Sequence, residues 1–239
     1  MSKHGKRYNS ATALIDRDSQ YSIQEAVGKV KATATSKFDE SIELHLRTSA
    51  DPRHADQQVR GVAPLPNGNG KIVKIAVFVQ GEGVSIAQSA GADYIGDDEL
   101  IKKIEGGWAE FDVSIATPDM MGKVSKLGKV LGRKGLMPNP KTGTVVALED
   151  IDRAVNDARK GRVEFKLDKT SIIHVVVGKA SFDEGQLIEN ISSVVDHIVR
   201  ARPSGVKGDF IQSAFLTSTM GPSTPLSTAA MSEIKGNDL

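Results

Sequence analysis

The feature that most constrains this chain's fold is the near-continuous apolar run IVKIAVFV within Lys71–Gln80. A run of this kind, interrupted by a single lysine, predicts a strand buried on both faces, and such strands belong to parallel sheets covered by helices on both sides. The pattern that follows agrees with that requirement. Helical spacing covers Val84–Ala90, a short strand Tyr94-Ile95, a helix Leu100–Ile104, a strand Phe111–Thr117, a basic helix after Gly122 and a final helix Glu149–Arg159. Alternation of strands and helices predicts a parallel α/β domain.

The flanking sequence has a different style. Ser22-Ile-Gln-Glu25 is a capping box, and Ile23, Ala26, Val27 and Val30 then line one helix face. Lys37–Thr48 alternates through Phe38, Ile42, Leu44 and Leu46, which predicts a half-buried strand. Asp51–Asn69 reads as irregular, with Pro64 and Pro66 in a connector. Arg162–Lys169 and Ser171–Gly178 read as paired strands turning near Asp168-Lys169. Ser181–Glu184 reads as a second capping box, opening a helix to about Arg202. Phe210–Met220 is a last strand closed by Gly221-Pro222. Two pieces of one style thus flank an insert. The expectation is a discontinuous α+β domain, residues 1–67 plus 160–222, with an α/β domain inserted at 68–159. Two short crossings, near Pro66 and Gly161, would form a hinge. Met1–Tyr8, with Lys3, Lys6 and Arg7, reads as a mobile basic arm, and the small and polar residues of 223–239 predict disorder.

Composition narrows the function classes. The chain has 239 residues, no cysteine and a formal net charge of +1. Disulfide and thiolate chemistry are excluded, which suits a reducing cytoplasm, and no apolar run is long enough to span a bilayer. The five histidines show no helical ligand spacing with a carboxylate, so no metal is expected. No nucleophile elbow or P-loop occurs: Gly122 and Gly128 are spaced wrongly, and Val130 follows Lys129. No enzyme and no cofactor are expected. A polyanion binder with so little net charge must rely on a local patch and on shape.

Gly122–Val145 supplies such a patch. It contains Lys123, Lys126, Lys129, Arg133, Lys134 and Lys141, with no acidic residue from Met120 to Leu148. The first part reads as a helix with basic residues three apart on one side. Gly132, Gly135, Pro138, Asn139 and Pro140 make the second part a loop. That combination fits a polyanion site and fits a solvated lysine-rich helix with a stiff turn. The polar face of the first strand carries Ser41, Glu43, His45 and Arg47, a mix that can address ribose hydroxyls and base edges or can simply face water. Ser218-Thr219-Met220-Gly221-Pro222 combines hydroxyls, a flexible apolar side chain and a glycine that permits close approach, and it equally fits a strand end and turn.

Leu131–Val145, with the pattern Leu-Gly-x-x-Gly-Leu-Met-Pro-Asn-Pro-Lys-x-Gly-Thr-Val, resembles the bacterial-type large-subunit ribosomal protein L-one family. Arg133-Lys134 replaces a frequent Pro-Arg, which keeps the charge and alters only the local turn. The resemblance extends over nearly the whole chain and ends near Pro222. It implies a split α+β RNA-binding domain with an inserted Rossmann-like α/β domain, and cytoplasmic, ribosome-associated work without catalysis. The implied partners are the 23S ribosomal RNA stalk of the large ribosomal subunit, exit-site tRNA whose release it assists, and the messenger RNA of its own operon, which it represses. The RNA-binding residues it implies are Lys37, Phe38, Ser41, Glu43, Asp168, Lys169, His174, Ser213, Ser218, Thr219, Met220 and Gly221. The basic residues of Gly122–Val145 would add secondary RNA contacts. The rival expectations are an α/β enzyme using the insert as a nucleotide pocket, and a free RNA chaperone.

Overall fold

The computed structural model describes residues 5–232. In chain order, α1 (Lys6–Thr12) and α2 (Ile23–Thr33) precede β1 (Ser41–Thr48) and β2 (Arg60–Pro64). There follow β3 (Ile75–Phe78), α3 (Gly83–Ser89), β4 (Tyr94–Gly96), α4 (Asp98–Glu105), β5 (Val113–Ala116), α5 (Met121–Val124), α6 (Gly128–Lys134) and α7 (Ile151–Lys160). The remainder is β6 (Arg162–Lys166), β7 (Ile172–Lys179), α8 (Glu184–Arg200), β8 (Ile211–Ser218), β9 (Thr224–Leu226) and α9 (Thr228–Ser232). The chain divides into two compact units, residues 1–70 with 162–239, and residues 71–161.

In the split unit, four strands form a sheet in the order β7-β1-β8-β9. Its three strand pairings are antiparallel. Alternation along β1 turns Ile42, Leu44 and Leu46 inward, where all three are fully buried. They pack with Val27 and Val30 of α2 and Leu187, Ile191, Val194, Val195 and Ile198 of α8 in one core. The helices therefore cover one face of the sheet and leave the other to solvent, the usual arrangement for an antiparallel sheet. The α2 capping box forms as expected, with Ser22 and Glu25 bonded reciprocally. At α8 the box lies two residues later than expected, at Asp183 and Gln186. Ser181 is diverted: its N–H and hydroxyl donate to the Asp39 carboxylate at 3.1 and 2.8 Å. Asn190 is fully buried and satisfied, donating to Gly68 O and Val177 O at 3.0 and 2.8 Å and accepting from Asn67 N at 3.0 Å.

Four sequence expectations are corrected. Asp51–Asn69 is not wholly irregular, because Arg60–Pro64 forms β2. Its partner is β6, in register from Arg60↔Lys166 to Pro64↔Arg162. The expected β6–β7 hairpin accordingly shrinks to a single bridge, Leu167↔Ile173, since β6 leaves for the two-stranded ladder. The segment after Pro222, expected to be disordered, instead adds β9 to the sheet edge. Thr224, Leu226 and Met231 are at most 2% exposed, and residues 233–239 lie outside the described residues. The expected basic arm enters α1 at Lys6, while Met1–His4, with Lys3, lie outside the described residues.

The insert is built on a parallel sheet ordered β4-β3-β5. All four residues of β3 are buried, as its apolar run requires. Ala76 and Phe78 pack toward α4, α5 and α6 through Ile104, Val124, Leu127 and Leu131. Ile75 and Val77 pack the other way, with Ala87 of α3 and Val155 and Ala158 of α7. Helix α6 stops at Gly135, whose φ of 72° is the left-handed conformation that favours glycine. The Pro-rich loop beyond is fixed by threonines. Thr144 Oγ1 accepts from Asn139 N at 2.7 Å, Thr142 Oγ1 donates to Asn139 O at 3.0 Å, and Thr144 O receives Ala116 N at 2.9 Å.

Candidate nucleic-acid interface

The open face of the split unit's sheet is read off the strand register. Glu43 lies between Val176 and Thr217, His45 between His174 and Phe215, and Arg47 between Ile172 and Ser213. At the end where β1 begins, Ser41 faces Lys179, whose ammonium donates to Ser41 Oγ at 2.9 Å. Thr219 closes the same end. Its N–H donates to Ser41 O at 3.0 Å, and its hydroxyl accepts from Ser41 N at 3.0 Å and donates to Ser41 O at 3.2 Å.

Two exposed loops meet at this end, residues 36–40 before β1 and 219–221 after β8. Glu40 joins them. It is 1% exposed, and its carboxylate accepts from Ser36 N and Met220 N, each at 2.9 Å. Burial pushes the Glu40 carboxyl up, but the N–H groups of Met220 and Ser36 and the hydroxyls of Ser36 and Ser218 outweigh it and hold the group below its ordinary value. Arg7 adds a brace, donating to Ser36 Oγ at 2.6 Å with its guanidinium 4.0 Å from Glu40. A Cβ at Gly221 would collide with Ser218 Oγ, so only glycine fits there without a shift. With the backbone so pinned, Phe38 and Met220 stand out into solvent, 55% and 50% exposed. A rigid backbone carrying outward apolar side chains is a platform for stacking and sugar contact.

The middle of the face is a row of titratable groups. His45 Nδ1 and His174 Nδ1 are 2.8 Å apart, so one donates and the other accepts. Glu43 lies 3.8 Å from His45 Nε2, and Asp168 lies 3.7 Å from His174 Nε2. Burial and the His174 imidazole push His45 below its ordinary value against the pull of Glu43, so its imidazole is neutral at pH 7. Asp168 is committed to its own turn. It accepts from Thr170 N, Ile172 N and Thr170 Oγ1 at 2.8, 2.7 and 2.6 Å. Burial raises its carboxyl, while these bonds lower it by more and keep it ionised.

The fold thus gathers Lys37, Phe38, Ser41, Thr219, Met220 and Gly221 at one end. It sets Glu43 and His174 along the face and places Asp168, Lys169 and Ser213 toward the other end. Ser218 is the exception among the expected contact residues: at 1% exposure its hydroxyl is buried and is not offered to a ligand. In the insert, Lys126, Lys129, Arg133 and Lys134 are exposed. Lys123 is engaged, donating to Asp98 at 2.7 Å. That bond draws the Asp98 carboxyl below its usual range. The side chain of Lys141 lies outside the described ones.

Sequence reasoning missed Glu40, Lys179, Arg7 and Phe215. For Glu40 a signal was present. It shares the parity of Ile42, Leu44 and Leu46, so alternation points it inward, where a carboxylate needs donors. Phe215 shares the parity of Ser213 and Thr217 and is 37% exposed beside His45.

The described residues contain no helix long and apolar enough to cross a membrane and no group of three or more acidic, histidine or cysteine residues suited to a metal. Residues 30–222 match the model of the ribosomal protein L1p/L10e family. Over 236 residues the chain is 55% identical to the large ribosomal subunit protein uL1 of Dehalococcoides mccartyi, covering 99% of this chain and 100% of that one. It is 53% identical over 234 residues to the protein of the same name from Thermomicrobium roseum, covering 98% and 97%. It is 51% identical over 236 residues to that from Chloroflexus aurantiacus, covering 98% and 100%. By both measures the chain belongs to the ribosomal protein L1p/L10e family.

Proposed function

We propose that this chain is a non-catalytic protein of the large ribosomal subunit that grips ribosomal RNA with the open sheet face of its split unit. The observation that carries this reading is the pairing of exposed Phe38 and Met220 on two loops locked together by buried Glu40. Flat apolar side chains beside fixed hydroxyls suit unstacked bases and riboses, and most sequence-specific RNA recognition targets such elements. The relatives' name supports the ribosomal setting. The finer roles belong to the same reading: docking on the 23S stalk beside the exit site, helping deacylated tRNA leave, and repressing its own message. A leader RNA that imitates the stalk would occupy the same face.

The test is affinity for a 23S stalk RNA fragment. Phe38→Ala and Met220→Ala should each weaken binding by about 1–3 kcal/mol, the range for losing a base-stacking side chain. Both side chains are half exposed, so thermal stability should barely change. In a competition titration, leader RNA should be displaced by stalk RNA without a ternary complex. Unchanged stalk affinity in both variants would remove this face from consideration.

A further inference from the structure

We propose that Asn69 is an age-dependent modification site, which the backbone nitrogen of Gly70 converts to isoaspartate and aspartate, while the fold protects Asn67 from the same reaction. The chain contains two Asn-Gly dipeptides, Asn67-Gly68 and Asn69-Gly70, and they are consecutive. They end the first piece of the split unit, immediately before the insert begins at Lys71. Asparagine is a thermolabile residue. A glycine after it leaves the attacking nitrogen unshielded, because glycine has no Cβ and a freely turning backbone. Sequence alone therefore marks both asparagines equally.

The fold separates them. Asn67 Nδ2 donates to the Glu189 carboxylate at 2.7 Å and to Gln186 O at 3.3 Å. Asn67 N donates to Asn190 Oδ1 at 3.0 Å, and Asn190 Nδ2 donates to Gly68 O at 3.0 Å. Asn190 is fully buried on α8, so this clamp belongs to the core. Gly68 N, the nitrogen that would attack Asn67, is itself committed to Leu65 O at 3.0 Å. Reaction at Asn67 must first break these bonds. Gly70 N, by contrast, donates to no group among the described residues. Gly70 is also hard to replace. Its φ is 71°, and a Cβ there would stand 2.7 Å from Lys179 Cγ and 3.0 Å from Phe182. Packing thus requires at this point the one residue that makes the dipeptide reactive.

The chemistry needs only water. Gly70 N loses its proton and bonds to Asn69 Cγ, the Cγ–Nδ2 bond breaks, and ammonia leaves a five-membered succinimide. Water then opens the ring at one of its two carbonyls. Opening at Cγ gives aspartate. Opening at the Asn69 main-chain carbonyl gives isoaspartate, whose main chain runs through Cγ and is one carbon longer. Either product adds a negative charge, which cancels the formal net charge of +1.

The test follows the full chain through incubation in mildly alkaline buffer, once folded and once in guanidinium chloride, with peptide mapping by mass spectrometry. In the folded chain Asn69 should convert about tenfold or more faster than Asn67, because Asn67 reacts only through local opening. In guanidinium the clamp is gone, and the two rates should come within about twofold of each other. Asn69→Gln should abolish the fast product, and Asn67→Gln should leave it. Equal rates in the folded chain, a faster Asn67, or a folded Asn69 that stays intact while the unfolded one converts would each overturn the proposal. A tenfold preference that persists in guanidinium would assign the selectivity to neighbouring sequence, and would overturn the role given to the fold.

Discussion

Glu40 is the residue that holds together the two loops of the proposed interface, although it offers nothing to a ligand. It is buried, negatively charged and surrounded by donors from both loops. Glu40→Ala leaves the N–H groups of Ser36 and Met220 without their acceptor, and should cost on the order of 2–3 kcal/mol in urea unfolding. The charge also makes stability pH-dependent. The folded carboxyl is held below its ordinary value, so the unfolded state takes up protons first as pH falls. The Glu40 contribution is therefore complete above the unfolded value of about 4.3 and is lost as pH drops through the lower folded value. A Glu40→Gln variant should lose stability at neutral pH and show a shallower decline below about pH 4 than wild type. Parallel curves in acid would show that other carboxylates carry the whole effect. Thr219 sets a related trap. Its hydroxyl bonds both backbone groups of Ser41, so Thr219→Ala should cost about 1 kcal/mol of stability as well as affinity. Thr219→Ser should recover the stability, which allows the two losses to be separated.

At the scale of elements, β9 shows most clearly what a sequence conceals. Thr224-Pro225-Leu226 is too short and too mixed for alternation to register, and a proline argues against a strand. Proline is nevertheless tolerated on an edge, and β9 is the edge beside β8. Here Pro225 lends its carbonyl to Tyr21 N at 3.1 Å, and Ser227 N donates to Tyr21 O at 2.9 Å. Leu226 is 2% exposed in the main core, so Leu226→Ala should cost about 2–4 kcal/mol, with truncation after Pro222 costing more. Thermal melting of both variants tests this, and a truncated chain as stable as the full one would show that β9 is dispensable. Other elements were legible for physical reasons. β3 is apolar throughout because helices cover it twice, β1 alternates because one face is wet, and α2 announces itself through Ser22 and Glu25. β2 was hidden because Arg60–Pro64 mixes Gly and Pro and finds its partner β6 about a hundred residues later. At the candidate site, the end residues were expected only through the family resemblance, while strand parity pointed Glu40 inward without showing what it would meet there. Nothing local in the sequence reveals that Glu40 accepts from Met220, 180 residues away.

At the scale of the whole molecule, the two units have separate cores, and this decides how RNA binding should respond to removing the insert. Every buried apolar residue of the main core lies in residues 26–65 or 165–231, and the two insert cores use only residues 75–158. The chain also leaves and re-enters the split unit at neighbouring points. Pro64, the last residue of β2, is the register partner of Arg162, the first of β6. Paired strands stand about 5 Å apart and Gly70 follows Pro64 by six residues, so a linker of about ten glycines is long enough to join Gly70 to Arg162 without straining the ladder. Replacing residues 71–161 in this way should leave a cooperatively folding unit that keeps Phe38, Thr219 and Met220. Its affinity for stalk RNA should stay within about tenfold of the full chain. The loss should come from exposed cations such as Lys126 and Arg133, and so should shrink as salt rises. In the intact chain, Lys126→Gln and Arg133→Gln should each lower the salt slope by at most about 1. Lys123 is a poor probe, because removing it also strips Asp98 of its partner. A folded insert-free unit that has lost nearly all affinity would move the primary RNA contact to the insert, and the open sheet face would then be ordinary wet surface.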